Sequence, residues 1–133
     1  MMTLEQLQVG ESLNDIQLEP VSRMDLIKYS GASGDFNPIH TIDDEAEKAG
    51  LPGIIAHGMW TMGNLAKLFT PYYEEGFIAD YSIRFRSMVF LNDVVTLKAT
   101  LKESHGNKLR FNVQAVNQNG ADVLKGEVLY HQY

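Results

Sequence analysis

The segment "HGMWTMGNLAKLF", residues 57–69, belongs to the longest apolar-rich window of this 133-residue chain and decides its fold. Read as a helix, it begins near His57 or Gly58. It ends at Pro71, because proline cannot donate a backbone hydrogen bond. Its apolar side chains cover most of the helix circumference: Met59, Trp60, Met62, Leu65, Ala66, Leu68 and Phe69. A helix that is apolar on nearly all sides is normally buried. We therefore expect this helix at the centre of the protein.

The second half of the chain alternates between apolar and polar residues. In "DYSIRFRSM", residues 80–88, one face carries Tyr81, Ile83 and Phe85, and the other carries Ser82, Arg84 and Arg86. The alternation returns in residues 93–103, 109–116 and 121–131, with turn sequences "HGN" and "NQNG" between them. This pattern predicts a meander of antiparallel strands, preceded by a weaker strand at about residues 13–18. With the buried helix, it predicts an α+β domain in which the sheet curls around the helix.

Two shorter helices are predicted before the apolar one. In "SRMDLIKYSG", Ser22 and Asp25 form a capping-box-like pair, and Gly31 marks the end of the helix. In "DDEAEKAGLPG", Asp43 or Asp44 lies near the start, and Gly50 and Pro52 end the helix.

Length and composition limit the function classes. A chain of 133 residues fits one domain, which we expect to span residues 1–133. The net charge of −6 disfavours a nucleic-acid partner, and the absence of cysteine excludes disulfides and thiolate chemistry. The start shows no secretory signal and no window is long and apolar enough for a membrane span, so we expect a cytoplasmic protein. An exposed edge strand would invite pairing with a second copy, so we also expect a dimer.

The stretch "SGDFNPIH", residues 33–40, places Asp35 and His40 on a stiff loop. Pro38 fixes its own φ and pushes Asn37 toward extended geometry, while Gly34 permits a backbone shape that other residues resist. A carboxylate and an imidazole on such a loop can serve as a general acid–base pair near neutral pH. The alternative is a turn between two helices in which Asp35 caps backbone amides.

The stretch "AHGMW", residues 56–60, places His57 and Gly58 at the start of the apolar helix. Backbone N–H groups there lack helical partners, and Gly58 has no side chain to block an approaching carbonyl oxygen. Such a donor stabilises a developing oxyanion. The alternative is that Gly58 only permits close packing and that His57 caps the helix.

Together, "SGDFNPIH" and "GIIAHGM" resemble the signature of MaoC-like (R)-specific enoyl-thioester hydratases, and "IRFRSMVFLNDVVTLKATL" resembles the strands that follow in this family. The likeness covers nearly the whole chain. It implies a hot-dog fold, homodimers or dimers of dimers, and no metal or organic cofactor. It implies that Asp35 and His40 activate water for addition to a trans-2-enoyl thioester of coenzyme A or acyl carrier protein. Gly58 would polarise the thioester carbonyl, with Asn37 and His57 in supporting roles.

Other positions bear on substrate binding. Met88 stands where the family is expected to carry a proline, and Trp60 stands where many relatives carry leucine. Trp60, beside Met59, would either shorten the acyl pocket or fill core volume. Arg84, Arg86 and Lys67 are candidates for the phosphates of coenzyme A or a carrier protein, or they belong to a solvated face. The six methionines are read as core packing in preference to a flexible acyl channel.

Three alternatives to the hydratase remain. A hot-dog acyl-CoA thioesterase would share the helix-start donor but release a free thiol. A catalytically silent acyl-binding subunit, or one subunit of a heteromeric dehydratase, would need a partner for activity. A metal site formed by Asp35, His40 and His57 is the most remote.

Overall fold

The computed structural model describes residues 3–133, and a five-stranded antiparallel sheet dominates it. The strands are β1 (Ile16–Gln17), β2 (Gly76–Phe85), β3 (Thr96–His105), β4 (Lys108–Val116) and β5 (Asp122–Gln132). They lie in the order β1-β3-β4-β5-β2. The predicted strands and the α+β class are confirmed.

The predicted meander holds only for β3, β4 and β5. The two predicted turns join these strands: Gly106 has φ of 63° in the first turn and Gly120 has φ of 78° in the second. Strand β2 does not pair with the next strand in the chain, because β1 occupies the free edge of β3. It pairs instead with β5, from Gly76 opposite Gln132 to Phe85 opposite Leu124. This crossover brings the end of β2 back to the helices.

Strands β2 and β5 approach each other closely at Gly126. Gly126 lies opposite Ile83, and a Cβ at position 126 would overlap the carbonyl oxygen of Ser82. The inward side chains of the curled sheet form the core with the helical segment that they face. Phe69 of that segment contacts Phe111 of β4 edge-to-face, with ring centroids 5.1 Å apart.

Three α-helices accompany the sheet: α1 (Arg23–Ser33), α2 (Asp43–Lys48) and α3 (Gly58–Leu65). The predicted capping box of α1 is present, since Ser22 Oγ accepts from the Asp25 N–H and the Asp25 side chain accepts from the Ser22 N–H. The helix continues past Gly31, however, and ends at Gly34 in the left-handed conformation with φ of 77°. The predicted end at Gly31 was wrong because that glycine has ordinary helical geometry, so no left-handed turn stops the chain there.

The apolar helix also differs from its prediction. It is α-helical only to Leu65 and continues as a 3₁₀ helix over Ala66–Tyr72, with Pro71 inside this segment. Leu65, Leu68 and Phe69 are buried, whereas Met59 is 56% exposed. In the single chain, the helix therefore lies against the sheet on one side and is open on the other. No helix in residues 3–133 has the length and apolarity needed to cross a membrane.

Candidate active site

The loop after α1 is held by its own polar groups. The N–H of Asp35 donates to Ser33 Oγ at 3.1 Å. Asp35 Oδ1 accepts from the N–H of Asn37 at 3.1 Å, and Asn37 Oδ1 accepts from the N–H of Ile39 at 3.2 Å. These bonds start the 3₁₀ turn Pro38–His40. Asp35 thus uses one carboxylate oxygen to fix the loop, and its Oδ2 atom accepts no hydrogen bond from residues 3–133.

His40 lies under this loop with a defined proton position. Its Nδ1 atom is 2.7 Å from the carbonyl oxygen of Ile55, and a carbonyl only accepts, so Nδ1 carries the proton. The Nε2 atom of the neutral ring therefore presents a lone pair, 3.8 Å from Asp35 Oδ2. The His40 side chain is 9% exposed and the Asp35 side chain is 52% exposed. The structure thus brings these two predicted residues together, with one group buried and the other open to solvent.

The His57 side chain packs directly against this pair. Its ring stacks on that of His40, with centroids 3.7 Å apart and planes 21° apart. Its Nε2 atom lies 3.1 Å from the backbone oxygen of Asp35 and 3.2 Å from Ser30 Oγ. Tyr29 meets the ring edge-to-face at 4.8 Å. His57 occupies the N-cap position of α3, but its side chain makes no capping hydrogen bond.

Gly58 is the first residue of α3, so its N–H has no carbonyl one turn earlier to bond. The ring of Phe85 covers its α-carbon: a Cβ at position 58 would lie 2.7 Å from Phe85 Cε1. The start of α3 is tied to the rest of the site through the preceding residues. The N–H of Ile55 donates to the Ile39 oxygen at 3.2 Å, and that of Ala56 donates to the Val89 oxygen at 2.8 Å.

A cavity of about 280 Å³ lies beside Gly58. Most of its wall is apolar, with Arg86, Ser87 and Thr61 as the polar contributors. The lining residues are Ile55, Ala56, Gly58, Thr61, Phe85, Arg86, Ser87, Met88, Val89 and Val123. Asp35 and His40 do not line it. In the single chain, the carboxylate–imidazole pair and the cavity are therefore neighbours across the 55–58 segment, and the pair lies outside the cavity lining.

The other residues predicted to bind substrate lie on different surfaces. Arg86 lines both the cavity and a groove of about 590 Å³ on the outer side of β2 and β5, which also contains Arg84 and Lys125. Trp60 and Lys67 lie together at a separate pocket near β1. Met59 is exposed and does not line the cavity.

Three contributors to the site were missed by sequence reasoning. Ile55 acts through its backbone oxygen, for which no side-chain pattern exists. Tyr29 and Ser30 lie in the last turns of α1, and the serine is a buried polar residue on an otherwise exposed stretch. In the sequence, only the position of Ser30 a few residues before Asp35 indicated that it could belong to the site.

The side chains of Asp35, His40 and His57 offer possible metal ligands within 4.8 Å of one another, but the stacking of the two imidazole rings disfavours a common metal ion. Stacked imidazoles direct their in-plane lone pairs side by side and not toward a common point.

Comparison with known proteins places this chain in a family. The family model described as "MaoC like domain" matches residues 5–123. The 3-hydroxybutyryl-CoA dehydratase of Methylorubrum extorquens is 30% identical over 128 residues, which cover 94% of this chain and 80% of that protein. The fatty acid synthase beta subunit TOXC of Cochliobolus carbonum is 33% identical over 103 residues, covering 74% of this chain and 5% of that much longer protein.

Solved structures show the same architecture. The R-hydratase PhaJ1 from Pseudomonas aeruginosa superposes with a TM-score of 0.88 at 24% identity, covering 96% of this chain and 83% of that one. The ChsH1-ChsH2 complex from Mycobacterium tuberculosis gives 0.85 at 19% identity, covering 95% and 98%. These likenesses confirm the predicted hot-dog fold. The chain belongs to the MaoC-like family of hydratases and dehydratases.

Proposed function

We propose that this protein catalyses the reversible syn hydration of trans-2-enoyl thioesters to (R)-3-hydroxyacyl thioesters. Coenzyme A or acyl carrier protein would carry the acyl group. The observation that carries this proposal is the fixed tautomer of His40. Because Nδ1 donates to the Ile55 oxygen, the lone pair of Nε2 is directed away from that bond, 3.8 Å from Asp35 Oδ2. Two acceptors at that separation can both receive O–H bonds of about 2.8 Å from one water molecule.

The reaction then needs one base. The water oxygen forms a bond to C3 of the enoyl group while His40 Nε2 takes a water proton, and Asp35 holds the other O–H. The electron pair of the C2=C3 bond moves toward the carbonyl, and the enolate oxygen accepts from the Gly58 N–H. The proton then passes from His40 to C2. Because His40 both activates the water and delivers the proton, the hydroxyl group and the proton add to the same face of the double bond. Dehydration is the reverse sequence.

The Gly58 donor is supported by its place at the start of α3. Its N–H has no helical partner, and the positive end of the helix dipole favours negative charge there. A backbone donor of this kind is typically worth about 10²–10³ in rate. Asn37 supports the reaction indirectly, because its N–H occupies Asp35 Oδ1 and leaves Oδ2 for the water.

The substrate would extend on both sides of Gly58. The apolar cavity beside it suits a short acyl chain, since its volume is about twice that of a 150 Å³ cavity that holds benzene. Arg86 connects this cavity to the outer groove, where Arg84 and Lys125 offer positive charge to the phosphates of the thiol carrier. Within residues 3–133, neither Arg84 nor Arg86 pairs with a carboxylate. Met59 and Trp60 remain candidate contacts for the acyl chain.

We also propose that this chain, as a single domain, acts as a homodimer, a dimer of dimers or one subunit of a heteromeric dehydratase. Strand β2 is an edge of the sheet, and large apolar side chains on and near it are about half exposed. They are Phe77, Phe85, Met88 and Met59. Such a surface favours burial against another chain, which would also close the open side of α3 and could unite the cavity with the carboxylate–imidazole pair. No metal or organic cofactor is needed for this chemistry.

The test is hydration of crotonyl-CoA by the purified protein, followed as loss of the enoyl-thioester absorbance and by chirality of the product. His40→Asn keeps a side-chain amide that can donate to the Ile55 oxygen and removes the Nε2 base, so we expect a loss of at least about 10²-fold. His105→Asn, at a histidine whose side chain is 80% exposed, is the control.

The same assay separates the alternatives. Release of free thiol without hydration would identify a thioesterase. A protein that is inactive alone and becomes active with a second, different subunit would be a heteromeric dehydratase subunit. Equal rates for His40→Asn and the unmodified protein would refute the proposed mechanism.

A further inference from the structure

We propose that His57 is a positioning residue that fixes both members of the Asp35–His40 pair at once, and that it does so as a neutral imidazole protonated on Nε2. Only the rate measurements that test this inference depend on the proposed function. It assigns His57 a contact with each reacting residue, which is more than helix capping or core packing would require.

The tautomer follows from the hydrogen-bond partners of the ring. Ser30 Oγ donates its only proton to the Leu26 oxygen at 2.9 Å, so toward His57 Nε2 it can only accept. The backbone oxygen of Asp35 also only accepts. Both partners therefore require a proton on Nε2. The Nδ1 atom is buried and has no hydrogen-bond partner within residues 3–133.

The surroundings of the ring favour the neutral form. The titratable groups that face it are His40 on the stacked side, Tyr29 at the edge and Asp35 beyond Nε2. Burial lowers the pKa of His57, and the hydrogen bond to the Asp35 carbonyl partly opposes this; a charge on His40 lowers the pKa further, and the Asp35 carboxylate raises it slightly. A second proton on Nδ1 would lack an acceptor. His57 is thus a poor second base, and its role is geometric.

The two contacts of His57 control the geometry that the reaction needs. His40 is anchored by one hydrogen bond, to the Ile55 oxygen, and a single bond leaves the ring free to tilt about it. Stacking at 3.7 Å sets the plane of that ring and hence the direction of the Nε2 lone pair. The hydrogen bond that His57 Nε2 donates to the backbone oxygen of Asp35 fixes the main chain of Asp35, whose side chain is about half exposed. One side chain therefore sets the separation of the two acceptors.

Two complementary substitutions divide these contacts. His57→Phe keeps a ring for stacking and removes the donor to Asp35. His57→Gln keeps an amide N–H that can reach the Asp35 oxygen and removes the stacked ring. Because a misplacement of about 1 Å can cost about 10² in rate, we expect each variant to lower kcat for crotonyl-CoA by about 10- to 100-fold. KM should change less than about threefold, because neither variant touches the cavity or the outer groove. Replacing both contacts with His57→Ala should cost more than either single loss.

His131→Phe is the matched control, because His131, on β5 against Phe77, is a partly buried histidine whose Nε2 atom has no hydrogen-bond partner within residues 3–133. It should leave kcat unchanged. Folded His57→Phe and His57→Gln proteins with kcat within twofold of the unmodified protein would overturn the inference.

Nitrogen-15 NMR of histidine-labelled protein tests the geometry without any substrate. We expect the Nε2–H tautomer for His57 and the Nδ1–H tautomer for His40 at neutral pH. A charged or Nδ1-protonated His57 would overturn the inference even if the enzyme hydrates crotonyl-CoA. If the unmodified protein fails to hydrate any enoyl thioester, the proposed function fails, and the NMR result alone decides the role of His57 in holding the pair.

Discussion

Asp35→Asn separates the chemical role of the Asp35 carboxylate from its structural role. The Asp35 side chain is 52% exposed, and its Oδ1 atom accepts from the Asn37 N–H. Asparagine has an oxygen in the same place, so the turn keeps its hydrogen bond. We therefore expect the free energy of unfolding to change by less than about 0.5 kcal/mol, as for most exposed substitutions.

The effect on the rate should be large. The substitution replaces Oδ2, 3.8 Å from His40 Nε2, with an NH₂ group that donates and cannot accept. The water then loses one of its two acceptors and is no longer held toward the substrate. Misplacing a reacting group by about 1 Å can cost about 10² in rate, which corresponds to about 3 kcal/mol in the barrier. We expect kcat to fall by this factor while stability is nearly unchanged.

The assay pairs crotonyl-CoA hydration with urea unfolding of the same preparation. Asp15→Asn is the control: its carboxylate is 47% exposed and pairs with Lys98 of β3. It should change neither kcat nor stability by a comparable amount. A kcat for Asp35→Asn within tenfold of the unmodified protein would refute the two-acceptor account of water activation.

Three further predictions test neighbouring features. Gly58→Ala places a methyl group 2.7 Å from Phe85 Cε1, so Phe85 or the start of α3 must shift beside the proposed donor. We expect kcat/KM for crotonyl-CoA to fall at least about tenfold, toward the 10²–10³ of a lost oxyanion donor; unchanged kcat/KM would remove Gly58 from the mechanism. Arg84→Gln should raise KM for crotonyl-CoA by up to about fivefold and leave KM for the phosphate-free N-acetylcysteamine thioester unchanged. Lys98→Gln is the control, and equal effects of Arg84→Gln on both substrates would exclude phosphate recognition by Arg84. Gly126→Ala should lower the free energy of unfolding by at least about 1–3 kcal/mol, because its Cβ meets the backbone of Ser82. Gly63→Ala, in open space on α3, should raise the free energy of unfolding by about 0.5–1 kcal/mol. Urea unfolding that ranks the two variants in the opposite order would contradict the close approach of β2 and β5 at position 126.

The sequence alone determined the features that depend on neighbouring residues. The capping box of Ser22 and Asp25, the glycine turns at 106 and 120 and the alternation of the strands each follow from groups a few positions apart. The loop that carries Asp35 is of the same kind, because its hydrogen bonds connect residues two apart. The resemblance of the two site motifs to the MaoC-like family, now confirmed, also came from short stretches.

The tertiary structure decided what distant segments do to one another. The proton on His40 is placed by a backbone oxygen 15 residues away, and His57 reaches partners 22 and 27 residues away. The pairing of β2 with β5, which brings Phe85 over Gly58, likewise depends on how the sheet closes around the helix. No local pattern encodes these contacts, since each depends on the relative position of segments that only the packed core brings together.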